Sequence, residues 1–229
     1  MATDRKLGII EVTKLQTGYY ITASGATKGL WEGNTHLQTV TCPFPALKYG
    51  KQFFKDCTNL KTVSISNLGN LEDAQQFMQG CSSVTSVTLG SLTNLKYGQQ
   101  FLKDCKGITS VTLSDLGNLE NADELLCNTK ISSINLIADK CTSATDMLKD
   151  TNVAEADISM ASLENYGSGT LFGMPNTVTT LKGNFPILTS CTLPTSITKL
   201  YGNFSGLSNV NAGNLISSLT NINEAGEST

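Results

Sequence analysis

The stretch "LKYGQQFLKDCKGITSVTLSDLGN", residues 95–118, has a near copy 48 residues earlier, "LKYGKQFFKDCTNLKTVSISNLGN", residues 47–70. Between them lies a looser relative, "LEDAQQFMQGCSSVTSVTLGSLTN", residues 71–94. Aligned on Leu47, Leu71, Leu95 and Leu119, the units turn apolar residues into columns. One column is Phe53, Phe77, Phe101, Leu125 and another is Leu60, Val84, Ile108, Ile131. Two more run Val63, Val87, Val111, Ile134 and Ile65, Leu89, Leu113, Leu136, and Leu68, Leu92 and Leu116 make a fifth. The spacing of the leading residues is 24 three times and then 22, through Cys141 to Leu163. A fixed period of this size marks a chain of stacked coils, each unable to close its own core alone.

Within a unit the periodicity changes character. "KTVSIS", "SSVTSVTLG" and "ITSVTLS" alternate apolar or β-branched residues with Ser and Thr, the pattern of a strand exposed on one face. "LKYGKQFFKDC" spaces its apolar residues as a helix does and ends on a polar turn, which predicts a short helical segment. The expected fold class is therefore an α/β solenoid of leucine-rich-repeat type. Each ~24-residue coil would hold one short strand and one short helical segment, with a parallel sheet on one face.

The smaller columns carry their own expectations. Gly50, Ala74, Gly98, Ala122 and Ala144 sit where the helical segment would approach the sheet. Cys57, Cys81 and Cys105 read as inward-facing small hydrophobes with a weak donor. Asn70, Asn94 and Asn118 close their units, where an Asn side chain can bond turn backbone and tolerate left-handed geometry. Position two of the unit alternates, Lys48, Glu72, Lys96, Glu120, and position three reads Tyr49, Asp73, Tyr97, Asn121. Alternation avoids stacking like charges on coils ~4.8 Å apart. Tandem duplication of a two-coil unit, followed by drift, yields the same pattern.

The repeat fades toward both ends. "LWEGNTHLQTVTC", 30–42, fits the later half of a unit, with Leu30 and Trp31 in the Phe53 and Phe54 places, Leu37 in that of Leu60 and Val40 in that of Val63. "CTSATDMLKDTNVAEADIS" is a degraded coil, and beyond Leu163 the units loosen around an insertion. The expected organisation is residues 1–28 as a cap or attachment segment, 29–162 as the regular solenoid, 163–223 as irregular repeats and cap, and 224–229 as a tail.

The run F-x-x-C-x-x-L-x-x-V-x-L, in "FFKDCTNLKTVSI", "FMQGCSSVTSVTL" and "FLKDCKGITSVTL", resembles the BspA-like leucine-rich repeats. The resemblance is strong over 30–160 and weak beyond, where "LPTSITKLYGNF" looks like a Pro-led variant. It implies binding or scaffolding in surface and adhesion proteins, or in gene products of phages, and it implies no catalytic residues. The start "MATDRKLGIIEVTKLQTGYY" lacks the basic segment and long apolar core of a secretory signal. That favours a virion component, with a cell-surface adhesin module as the alternative.

Composition excludes several classes of function. Charged residues are 15% with a net charge of −3 and no Lys/Arg run, so no footprint for nucleic acid exists. No apolar run approaches the ~18 residues of a membrane span. Seven cysteines with no C-x-x-C pair and a single histidine, His36, do not make a zinc site. No cofactor is expected, and no enzyme. "GSGTLFG", 167–173, lacks the Lys-Ser/Thr of a phosphate loop. Asp146, Asp150, Glu155 and Asp157 form a loose acidic group without calcium-loop spacing.

The candidate binding face is the outward side of the strands: Thr62, Ser64, Ser66, Ser86, Thr88, Ser110, Thr112, Ser114, Ser133, Asn135 and Asp157. This hydroxyl-rich surface would turn acidic at its C-terminal side, with no aromatic platform. The expected partners are proteins, either other virion proteins or a host surface component, and association with further copies of the chain.

Overall fold

The computed structural model describes residues 14–207 and 209–211. The chain winds as a stack of coils whose strands are parallel from one coil to the next. Strands β1 (Tyr19–Ile21) and β2 (Thr27–Gly29) form an antiparallel hairpin, with Tyr20 opposite Lys28. Strands β3 (Thr39–Val40), β4 (Thr62–Ile65) and β5 (Ser86–Leu89) then make a parallel sheet, with Val40 beside Val63 and Val63 beside Val87. Strands β6 (Ser133–Ile137), β7 (Glu155–Ser159), β8 (Thr180–Asn184) and β10 (Lys199–Asn203) make a second parallel sheet. Finally β9 (Ser190–Thr192) pairs in parallel with β11 (Asn209–Asn211).

The coils over 47–207 of the described residues contain no α-helix, which corrects the expected helical segment. The apolar spacing that suggested a helix belongs to a run of tight turns. Gln52 and Asp56 have φ of 56°, and their equivalents Gln76, Gly80, Gln100, Asp104, Glu124, Asn128, Asp146 and Asp150 are also left-handed. A left-handed residue every fourth position stops helical propagation. The amides divide their work instead. Phe53, Lys55 and Cys57 donate three residues back within the coil, whereas Gly50, Gln52, Phe54 and Asp56 donate to the carbonyls of Asp73, Gln75, Phe77 and Gln79 in the next coil. The same four-rung pattern repeats from 74–80 to 97–103, from 98–104 to 121–127 and from 122–128 to 143–149. The architecture is a β-solenoid with three hydrogen-bonded ridges: the strands, this turn ridge, and a column of single parallel bridges. That column runs Thr17, Tyr49, Asp73, Tyr97, Asn121, Ser143, Asn165, one residue for each of seven coils.

The apolar columns fill the interior. Leu47, Leu71, Leu95 and Leu119, the Phe53 and Leu60 columns, and Leu68, Leu92 and Leu116 are all buried. Aromatic rings stack along the axis, Phe77 on Phe101 at 5.3 Å between centroids and Phe53 on Phe77 at 5.5 Å. Trp31 occupies the Phe54 place one coil earlier, its ring stacked on Phe54 at 5.5 Å and its amide bonded to the Phe53 carbonyl. The small-residue column faces the next coil's side chains: a Cβ on Gly50 would stand 2.9 Å from Phe77, although Ala is accommodated at 74, 122 and 144.

Polar columns are ladders as well. The Asn70, Asn94 and Asn118 amides each donate at 2.7 Å to a carbonyl of the preceding coil, on Pro45, Gly69 and Thr93. They bond turn backbone, as expected, and so tie coil to coil, but they do not themselves adopt left-handed backbone. The Cys57, Cys81 and Cys105 thiols donate across coils to the carbonyls of Trp31, Phe54 and Met78. Gln52 donates to Gln76 at 2.7 Å and Gln76 to Gln100 at 2.6 Å, ending on Glu124, which Lys103 also contacts.

Residues 16–29 are hydrogen-bonded to the first regular coil. Gly18 donates to the Tyr49 carbonyl at 2.6 Å, and Lys48 donates to that of Gln16 at 2.8 Å. A Cβ on Gly29 would lie 1.7 Å from the Gln52 carbonyl oxygen. Residues 1–13 of the expected N-terminal segment, and 212–229 of the expected C-terminal repeats and tail, lie outside the described residues.

Candidate functional site

Within each sheet the outward strand positions form columns because the parallel register is unshifted. Thr62 stands beside Ser86 and Ser64 beside Thr88. Ser133 stands beside Glu155 and Asn135 beside Asp157. Alternation with buried Val63, Ile65, Ile134, Leu136, Ala156 and Ile158 turns these side chains to solvent. Thr62 and Asp157 are half-buried, and the other nine candidate residues are exposed.

The face is divided, however. Residues 109–114 are not paired as a strand, so the first sheet ends at β5 and the second starts at β6. Ser110, Thr112 and Ser114 lie on this seam, and Val111 and Leu89 beside it are only half-buried. The strand columns shorten from 24 to 23 residues between Val111 and Ile134, while the turn column shortens from 24 to 22 between Ala122 and Ala144. The predicted strand "ITSVTLS" makes no ladder here, although Lys130 and Ser132 still donate to the Ile108 and Thr109 carbonyls.

The C-terminal half of the face differs from expectation. The register carries Asp157 onto Lys182 and then Tyr201. Lys182 Nζ lies 3.1 Å from Asp157 Oδ2, so the acidic end is partly neutralised. Tyr201 supplies an aromatic ring that sequence reasoning did not place there, and Ile137 at 62% exposure adds an apolar contact beside Asn135. The alternation in "TTLKGN" and "TKLYGN" was the signal for Lys182 and Tyr201, obscured by the insertion that breaks the repeat count.

The acidic group read from the sequence is split. Glu155 and Asp157 lie on the sheet face. Asp146 and Asp150 belong to the turn ridge, where they line an open cleft with Asp104, Glu124, Lys103 and Lys149. Lys149 bonds Asp146 at 3.2 Å, Lys103 contacts Glu124, and Asn128 bonds Asp104 at 2.6 Å. Among the described residues, no three His, Cys, Asp or Glu side chains are placed to hold a metal ion.

Four of the thiols are chemically quiet. Burial pushes Cys105 and Cys141 up to about 12 and Cys127 and Cys191 up to about 11, so they stay protonated near neutrality. His36 is an exposed turn residue whose own amide donates to Asn34 Oδ1 at 2.9 Å. No helix among the described residues is long and apolar enough to cross a membrane.

No protein-family model matches the chain, and no curated protein matches it. Among solved structures, the chain is similar to a leucine rich cell surface protein from Faecalibacterium prausnitzii, at 13% identity over 91% of this chain and 96% of that one, with a TM-score of 0.35. It is also similar to a leucine-rich repeat protein from Bacteroides ovatus, at 14% identity over 84% of this chain and 81% of that one, with a TM-score of 0.28.

Proposed function

We propose that the protein is a non-catalytic interaction solenoid that engages a protein or glycan partner through the outward face of its strands. The observation that carries this reading is the register. Successive strands ~4.8 Å apart hold Thr62, Ser86 and Ser64, Thr88 in line, then Asn135, Asp157, Lys182 and Tyr201 in line. Backbone pairing fixes these groups before any partner arrives, which lowers the ordering cost of binding. The short hydroxyl side chains suit close approach of a flat partner. The Asp157, Lys182 and Tyr201 group, with Ile137 nearby, provides the charged and amphipathic anchors that concentrate binding energy.

Of the two settings expected from sequence, we propose the surface-displayed binding module, in which this face meets an external protein or glycan. The test is direct binding to immobilised matrix proteins and host glycans. Two variants are compared with the native chain, Ser64→Arg/Thr88→Arg on the hydroxyl half and Asp157→Arg/Tyr201→Ala on the anchored half. Loss of a native binding signal in either variant, with unchanged melting, supports the reading. A binding signal that survives both removes the sheet face from consideration.

A further inference from the structure

We infer that the ridge carrying Tyr49 and Tyr97 is a two-fold interface through which two copies of this chain pair antiparallel. The inference is independent of the sheet face, which lies on a different ridge of each coil. The bridge column brings position three of every unit into line, Tyr49, Asp73, Tyr97, Asn121. Position two accompanies it, since Lys48 Nζ sits 5.3 Å from the Tyr49 ring centroid. Position five does too, since Lys51 Nζ reaches Asp73 Oδ2 at 3.4 Å. Tyr49 and Tyr97 are 38% and 40% exposed, large amphipathic rings that the coil itself leaves uncovered. Within one chain the alternating charges are only half used. Lys48 pairs with Glu72 at 3.3 Å, whereas Lys96 and Glu120 are exposed and make no ion pair among the described residues.

A two-fold axis between the coils of Glu72 and Lys96 reverses the column order in the second copy. Position two then sets Lys48 against Glu120 and Glu72 against Lys96. An alternating column of even length always does this, so that match alone is weak. Position three sets Tyr49 against Asn121 and Asp73 against Tyr97, each an aromatic hydroxyl facing a side-chain acceptor. Position five sets Lys51 against Asp123 and Gln75 against Gln99. The flanking coils follow the same operator, Gln16 and Thr17 meeting Thr142 and Ser143 without charge. Positions two, three and five bring no like charges together, as an isologous contact requires, and Lys14 meets Lys140 only at the outer rim. The third column alternates too and its match follows in the same way, whereas the fifth, Lys51, Gln75, Gln99, Asp123, does not alternate, so duplication gives no reason for Lys51 to meet Asp123. In-register parallel pairing, by contrast, sets every Lys on a Lys. Six coils at ~4.8 Å make a contact ~29 Å tall. It relies on exposed ion pairs, each weak and screened by salt, so the dimer is concentration-dependent and not permanent.

The test is sedimentation of the intact chain over a range of concentrations, beside Lys48→Glu/Lys96→Glu and Glu72→Lys/Glu120→Lys. The native chain is expected to pass from monomer to dimer. Each variant alone should associate at least ~tenfold more weakly, and an equimolar mixture should recover a dimer holding one of each. If either variant fails to fold by circular dichroism, Lys96→Gln/Glu120→Gln, at positions without an ion pair inside the chain, takes its place and should weaken pairing likewise. A native chain that stays monomeric, assembles beyond a dimer, or dimerises undiminished in the charge variants overturns the inference. So does a mixture that stays monomeric.

Discussion

Gly80→Ala separates the observed coil from the helical one that the sequence suggested, because the two give opposite signs. In a helix, Ala in place of Gly stabilises by about 1 kcal/mol. In the observed turn ridge Gly80 has φ of 76°, and a Cβ there would lie 2.2 Å from Asp56 Oδ1. Placing an L side chain in left-handed backbone costs about 1–2 kcal/mol, and Asp56 must also rotate away. The expected outcome is a loss of roughly 1–2 kcal/mol, or a fall in melting temperature of about 2–8 °C for a domain of this size. Urea and thermal unfolding followed by circular dichroism read it directly. Asp56→Gly provides the internal check. It relieves a left-handed residue with φ of 56° and removes the obstructing carboxylate. The double variant should therefore be less damaged than the sum of the two single effects, as neighbours that share a contact are. A Gly80→Ala protein as stable as the native chain, or more so, would refute the turn-ridge description.

Three further outcomes follow from the same coordinates. Phe77→Ala removes a fully buried ring packed against Phe53, Phe54 and Phe101, and should cost about 3–5 kcal/mol in denaturant unfolding. Asn94→Ala deletes the 2.7 Å bond to the Gly69 carbonyl and should cost about 0.5–1.5 kcal/mol, with the loss confined to hydrogen-exchange protection in the two coils it joins. Stability should fall in alkali. Cys105 and Cys141 stay protonated in the fold up to about 12, whereas in the unfolded chain they ionise near the ordinary value of 9.0. The unfolded state then holds fewer protons between those limits, so each thiol removes roughly 1.4 kcal/mol per pH unit there, and none below pH 8. Cys105→Ala should flatten that limb of the pH–stability curve.

The stacked architecture was legible because its cause is local and repeated. A buried column such as Leu60, Val84, Ile108, Ile131 needs only equal spacing to be read, and every member is buried. The helical segment was misread because apolar spacing reports which side chains face inward, not how the backbone carries them there. Phe53, Phe54 and Cys57 point to the core from a turn ridge as they would from a helix. The discriminating signal was the column of Gln52, Gln76 and Gln100 with Asp56, Gly80 and Asp104, residue types set four apart and each left-handed. A natural Gly in that second column was the clearest trace of positive φ. On the sheet face, Thr62 to Thr88 and Asn135 to Asp157 followed from alternation alone. Lys182 and Tyr201 did not, because the insertion after Leu163 breaks the count, and the seam at 109–114 did not, because the spacing from Val87 to Val111 is still 24.

The turn ridge also has an electrical direction. Along it the amides of each coil point toward the C-terminal end of the stack and the carbonyls they meet point back, rung after rung from Gly50 to Lys149. Peptide dipoles aligned head to tail sum, as they do along a helix, and leave partial positive charge at the end to which the amides point. In this molecule that end is the C-terminal one. The ridge's own side chains change to match: Gln52, Gln76 and Gln100 give way to Glu124 and then Asp146, with Asp150 beside them. The acidic group that reads from sequence as loose solvated charge thus stands where the accumulated field of the coils favours anions. The rungs run on past the acidic group, from Ala144 to Asn165 and from Leu148 to Phe172, so the column turns acidic toward the positive end of its ridge.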